Sequence, residues 1–403
     1  MGKFTIFIIV IMLTGLAIYS PNLIRLYKLS NLYNKATIAH NFINMDEIFY
    51  TSDPIAPSDD PYIFEEDLIE LPETFTFEGK EKNLKEALDY FCTDGLLILH
   101  NDKILYENYW NGNDQYSKHI SWSVAKSFLS ALIGIAVQDG LIESLDDPAT
   151  KYLPDFAGTG YEGIKIKNIL QMSSGVSFNE DYADPNSDIN KFGRAAARGT
   201  SFRDFAKTLE YGREQGTYNH YVSIDTQVLA MILESVTGMT VRDYLSEKIW
   251  TKIGMESDAY YITDKAGFDM ALGGLNATLR DYSKFGYLYL NNGNWFGEQI
   301  VPKDWVIASH SPDAPHLMPN AGENLSSSEW GYGYQWWVPG NPATDYTAHG
   351  VYNQFIYIDP ISEVVIAKTS SNYRFRAEKE YSKAAHIAMF RSITKHIKEE
   401  YKE

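Results

Sequence analysis

Basic residues, cysteine and the common cofactor signatures are what this sequence has little of. Lys and Arg number 35 against 53 Asp and Glu, for a formal net charge of −18. Most of such a surface repels a phosphate backbone, which sets nucleic-acid binding aside. A single cysteine, Cys92, rules out a disulfide within the chain and a cysteine-built metal site, and it reads as a small core hydrophobe. No G-x-S-x-G elbow, H-E-x-x-H, Walker loop or G-x-G-x-x-G with a following acid is present, and the nine histidines are scattered. The expectation is chemistry that needs no metal and no cofactor. Long apolar runs are also scarce, the exception being Phe4 to Tyr19 behind Lys3. That run is short for a spanning helix, which needs about 20 residues, and slightly long for a signal-peptide core of roughly 7 to 15. Residues 1–22 therefore read as a signal or membrane anchor, with the rest of the chain extracytoplasmic, anchored or secreted, and periplasmic if the source is bacterial. Arg25, Lys28 and Lys35 beyond it weaken an N-inside orientation.

What is present is enough for a large core: 403 residues with 44% hydrophobic content predict two structural units behind a tail. Residues 23–75 mix short apolar patches with Pro- and Asp-rich stretches and read as an extended arm on the surface. An α/β domain is expected over 76–164 and 256–403, with a helical domain at 165–255 between its halves. A helix is expected around Asn83 to Phe91. A β-hairpin follows, Leu96–His100 and Ile104–Tyr109 about the turn dipeptide Asn101-Asp102. The helical middle includes Ser223 to Thr237, stopped by Gly238, and capping boxes begin at Thr240 and Thr278. The polar stretch Asn179 to Thr200 is long for a loop, either a substrate-covering segment or a plain excursion. Strands are expected at Tyr332–Val338, Val351–Ile358 and Val364–Thr369, then a last helix over about Ala377–Lys398. The order strands, helices, strands, helix predicts an α+β fold, an antiparallel sheet flanked by helices and carrying an all-helical insertion.

The chemistry centres on Ser123 and Lys126. Three residues apart at the mouth of the apolar run Ala131–Val137, they share one face of a helix that must be buried. A desolvated lysine loses affinity for its proton and can take one from a serine, while the positive end of the helix favours an alkoxide. The motif is short, and Ser392 with Lys395 repeats its spacing in the charged C-terminal helix, where both read as solvated. Two further stretches carry candidate partners. Tyr221 lies on a loop before the helix starting at Ser223, from which a phenol, ionised or nearly so beside Lys126, would accept the serine proton. Gly350 opens a strand where backbone can approach a ligand and form an oxyanion hole with the Ser123 amide; alone it reads equally as an edge-strand kink.

In order along the chain, S-V-A-K at 123–126, I-L-Q-M-S-S-G at 169–175, Gly216-Thr217 before Tyr221, Gly273-Gly274-Leu275 and His349-Gly350 resemble serine hydrolases of the class C β-lactamase and penicillin-binding-protein superfamily. The likeness, over about Leu96 to Thr369, is strongest to the 6-aminohexanoate-dimer hydrolase and esterase branch. The resemblance implies a β-lactamase/transpeptidase-like fold and acylation of Ser123, with Lys126 and Tyr221 as a coupled proton-transfer pair. It also implies an oxyanion amide at Val351 and, in Tyr182, a substrate-covering tyrosine. Two positions depart from the pattern. Ser223 stands where many relatives have the Asn of Tyr-x-Asn, and His349 lies in an Ala348-His349-Gly350 that replaces Lys-Thr-Gly. Both weaken the case for a β-lactamase or DD-peptidase and suit a small-molecule ester or amide substrate. The more distant alternative is a membrane-tethered scaffold that kept the fold and lost the reaction. The aromatic run Trp330 to Trp337 is expected to fill core rather than line a cleft.

Overall fold

The computed structural model describes residues 24–340 and 344–401. Its centre is an eight-stranded sheet. In chain order the strands are β1 (Glu65–Glu66), β2 (Thr93–His100), β3 (Lys103–Tyr109), β4 (Gly331–Tyr332), β5 (Trp337–Val338), β6 (Tyr346–Gly350), β7 (Gln354–Asp359) and β8 (Val364–Ser370). In space they run β4-β5-β6-β7-β8-β2-β3-β1, so strands from both ends of the chain meet where β8 pairs with β2. All neighbours are antiparallel except the short edge strand β1, which lies parallel to β3. The β2–β3 hairpin turns at Asn101, whose φ of 54° is the left-handed conformation that Asn tolerates.

Both faces of this sheet are buried, which is why its inner strands read as apolar runs. Leu96, Ile98, Phe355, Tyr357 and Ile366 face α5 (Phe375–Glu400, the last of the five helices labelled here) through Ala385, Met389, Phe390 and Ile393. Their alternates Leu97, Leu99, Ile356, Ile358 and Val365 join the larger cluster on the opposite face, as the two-residue period requires. That cluster contains α1 (Ala125–Gln138), α2 (Asp188–Arg198), α3 (Ser223–Thr237) and α4 (Leu279–Leu290). Phe128 of α1 stacks on Phe285 of α4 with centroids 3.7 Å apart, tying α1 to the helix that packs on the sheet at β2, β7 and β8. The expected caps form: Thr240 and Thr278 accept from the amides of Asp243 and Asp281, and Gly238 ends α3 at φ 68°.

Several expectations are corrected. The run 332–338 is two short strands with a reversal between them. Gln335 sits at φ 63°, and a Cβ on Gly333 would lie 2.1 Å from the Ser309 carbonyl oxygen. The strand expected from Val351 begins only at Gln354, because Tyr352 and Asn353, at φ 63° and 72°, form a turn. Half of the polar excursion is α2. Ser187 caps it, Gly199 ends it in the left-handed region, and Ile189, Phe192 and Ala196 turn inward on one face. The arm is not laid on the surface: Phe42, Met45, Ile48, Ile55 and Phe64 are buried in the main core, and Tyr50–Thr51 pairs with Tyr260–Thr263. Cys92 is half-buried, with φ 48°.

The membrane tether is also corrected. Among the described residues no helix is long and apolar enough to cross a membrane. The stretch Phe4–Tyr19 itself lies outside the described residues.

Candidate active site

Ser123 occupies a single 3-10 turn, Trp122–Val124, that leads into α1. Lys126, one turn on, is 1% exposed, and its Nζ donates to Ser123 Oγ at 3.2 Å and to the Leu272 carbonyl. Burial lowers its pKa to about 7, against the opposing pull of the Glu180 and Asp225 carboxyls. An amine in this position is neutral in about half of the molecules near pH 7 and lies within reach of the hydroxyl proton. Asp225, in the first turn of α3, is itself pushed up to about 8 by burial; its Oδ1 accepts from the Tyr161 hydroxyl at 2.9 Å.

Tyr221 arrives on the loop before α3. Its ring stacks on Trp337 with centroids 5.2 Å apart, and Lys126 Nζ lies 5.4 Å from its centroid. Burial, then the Glu180 charge, raise the phenol well above its ordinary pKa, and the nearby Ser123 hydroxyl only partly opposes them. The expectation of an ionised or nearly ionised phenol is therefore corrected: Tyr221 rests protonated. Ser123, Lys126 and Tyr221 thus do come together from two distant segments.

Glu180 was not singled out by any spacing, yet it ties the remaining pieces together. Ser223 donates to it from Oγ at 2.6 Å and from its amide at 3.0 Å, and the Tyr182 hydroxyl donates to it at 2.8 Å. The Ser223 side chain is engaged within the protein rather than directed to a ligand. His349 is buried, and its Nε2 has no hydrogen-bond partner. Burial, with Lys383 and Lys379 nearby, pushes its pKa well below the usual range, so it is a neutral imidazole and no substitute for a lysine's charge. At the end of β6, a Cβ on Gly350 would sit 2.5 Å from the Ser121 carbonyl oxygen and 3.1 Å from the Ser123 amide nitrogen. The glycine is demanded by close approach, and it lays the backbone at Val351 beside the serine. The second Ser-x-x-Lys is unlike the first: Lys395 is 77% exposed and lies 4.0 Å from Glu399.

Two cavities meet at Ser123, Tyr182 and Val351. One, of about 410 Å³, is mainly apolar and runs toward α2 and the N-terminal residues. The other, of about 380 Å³, is the more polar of the two, lined by Tyr221, His349, Trp337, Lys379, Glu380 and Lys383. Trp337 thus lines a cleft, whereas Trp336 is fully buried against Tyr289 and Phe285, so the aromatic run divides between cleft and core. No group of three or more His, Cys, Asp or Glu side chains placed to hold a metal ion is found among the described residues.

The Beta-lactamase family profile matches residues 92–388. The 6-aminohexanoate-dimer hydrolase of Paenarthrobacter ureafaciens is 32% identical over 296 residues, covering 72% of this chain and 75% of that protein. The solved structure of a provisionally assigned 6-aminohexanoate-dimer hydrolase from Bacillus anthracis superposes with a TM-score of 0.81 at 26% identity, over 92% of this chain and 96% of the other. EstCE1, a hydrolase with promiscuous acyltransferase activity, shares the fold at a TM-score of 0.60 and 14% identity, over 76% of this chain and 96% of its own.

Proposed function

The chain belongs to the Beta-lactamase family, a superfamily of hydrolases, and on that premise we propose that it is a serine hydrolase forming an acyl-enzyme on a small ester or amide. The observation that carries the proposal is the 3.2 Å contact between Ser123 Oγ and a buried Lys126 whose pKa is lowered to about 7. Neutral Lys126 takes the Ser123 proton as Oγ attacks the carbonyl carbon. The amides of Ser123 and Val351 hold the resulting oxyanion, an interaction worth about 10²–10³ in rate for one donor. Collapse breaks the bond to the leaving heteroatom, which takes the Tyr221 phenolic proton while the Lys126 ammonium restores it. The pair thus moves one proton from nucleophile to leaving group. Water then attacks the acyl-enzyme by the same steps in reverse. Tyr182 would cover the bound substrate from the loop before α2.

Ser223 held by Glu180 and a neutral His349 argue for esters and simple amides over β-lactams. The relative named for hydrolysis of a 6-aminohexanoate dimer points the same way. A fluorophosphonate probe should label the peptide holding Ser123, with labelling lost in Ser123→Ala and strongly slowed in Lys126→Ala. Turnover of p-nitrophenyl acetate but not nitrocefin is the expected activity. A wild-type protein that takes up no probe and turns over neither compound would refute the proposal.

A further inference from the structure

Of the two cavities that reach Ser123, only the polar one is lined by Tyr221. Resting on the reading above, in which Tyr221 protonates the leaving group, the leaving group must lie on that side and the acyl group on the other. We infer that the apolar cavity is an acyl-chain chamber for unbranched, uncharged aliphatic acyl groups of medium length, and that the N-terminal segment sets that length. Leu26, Leu29, Tyr33, Phe49, Phe192 and Leu272 supply its apolar walls. At about 410 Å³ it has room for on the order of ten water-sized groups.

Of those walls, Leu26, Leu29, Tyr33 and Phe49 come from residues before the family match, which begins at residue 92. That part is clamped in place. Arg25 Nε donates to the Ile48 carbonyl at 2.8 Å, its guanidinium also donates to the Ala197 carbonyl at the end of α2, and its plane lies 4.2 Å from the Tyr50 ring centroid. Arginines at the cavity do not make it a carboxylate site. Arg194 is exposed and donates to the Pro185 carbonyl at 2.7 Å, and Arg198 is exposed at the end of α2. The polar cavity suits a hydrophilic leaving group, with Lys383 beside Glu380 at 2.9 Å and over Trp330 at 4.5 Å.

The test is a series of p-nitrophenyl esters from acetyl to dodecanoyl. The expected kcat/KM rises about three- to fourfold per added methylene until the chamber is full. Adipoyl monoesters should be poorer substrates than hexanoyl esters. Two variants narrow the chamber: Gly193→Phe, at a helical glycine whose Cβ would meet nothing within 4 Å, and Leu29→Trp. At least one should lower the octanoyl-to-acetyl ratio of kcat/KM tenfold or more, with folding checked by melting temperature. A flat or falling wild-type series, a preference for adipoyl, or an unchanged ratio in both variants would overturn the inference while leaving a serine hydrolase intact. Calorimetry of octanoate on Ser123→Ala protein reads the chamber without the chemistry. Binding there that weakens in the Leu29→Trp background supports the chamber even if no ester is turned over, and absence of binding counts against it.

Discussion

Trp122, which precedes Ser123, and Tyr352, which follows Val351, face each other with ring centroids 5.9 Å apart, and both have positive φ, 45° and 63°. Bulky residues rarely adopt that conformation, which costs of order 1–3 kcal/mol at each site and persists only where surrounding packing enforces it. Here the packing is aromatic and comes from the N-terminal segment. Phe42 meets Trp122 edge-on at 5.5 Å and Tyr352 at 5.3 Å, while Tyr33 stacks on Tyr352 at 5.1 Å. The backbone on either side of the proposed oxyanion hole is thus braced by residues far outside the serine motif.

Phe42→Ala removes the shared brace. Phe42 is fully buried, so truncation should cost about 3–5 kcal/mol of stability, read from chemical denaturation. In the folded fraction kcat for p-nitrophenyl acetate should fall more than KM rises, because the oxyanion donors are displaced and an acetyl group makes little use of the chamber wall that Tyr33 helps to form. Equal loss in Phe42→Ala and in a truncation of comparable cost remote from the site, such as Phe390→Ala, would show the brace to be ordinary core.

The proton inventory predicts a pH profile. With Lys126 near 7, the neutral amine predominates above that pH, so kcat/KM should fall about tenfold per unit on the acid side of about 7. Glu180 is the leading charge that favours the ammonium. In Glu180→Gln the Lys126 pKa should drop further and the acid limb move to lower pH. A limb that stays in place would remove Lys126 from the role of base.

Tyr221, resting protonated, is placed to give a proton rather than take one. Tyr221→Phe should therefore slow amide hydrolysis by roughly 10²–10⁴, because an amine cannot leave unprotonated. A p-nitrophenyl ester, whose leaving group departs as a stable anion, should lose far less. Equal losses on the two substrates would assign the phenol to activation of the serine instead.

How far these features were legible in the sequence depends on how local their signals are. Ser123 and Lys126 share a helix face at fixed spacing, and the β2–β3 hairpin announces itself through Asn101-Asp102, so both are readable from neighbouring residues. Tyr221 and Gly350 gained weight only from the order of motifs along the chain. Glu180 has no such signal: its significance is its contact with Ser223, 43 residues away, and it sits in a stretch whose polarity hides the cap and inward face of α2. The reversal between β4 and β5 was hidden for a related reason. Alternating aromatic and glycine residues match the strand period, and only the close approach of Gly333 to Ser309 shows that the chain must double back. Proline and aspartate in the arm likewise outweighed the apolar residues that it buries.

Gly350 offers the sharpest test of the proposed oxyanion hole. Its backbone does not occupy the left-handed region, so alanine brings no torsional penalty; the added methyl meets backbone atoms of Ser121 and Ser123 instead. Those atoms cannot rotate away as a side-chain tip would. Relief requires β6 or the serine turn to shift by several tenths of an ångström, which separates the two proposed donors. Overpacking of this kind costs about 1–3 kcal/mol in stability, whereas loss of an oxyanion donor costs about 10²–10³ in kcat. Gly350→Ala should therefore give a folded protein, by circular dichroism and a melting temperature a few degrees lower, with kcat reduced at least a hundredfold. Fluorophosphonate labelling should slow in parallel, because the phosphonyl oxygen occupies the same hole. Near-normal turnover in Gly350→Ala would mean that the strand end does not hold the oxyanion and that its tight approach to Ser123 is packing alone.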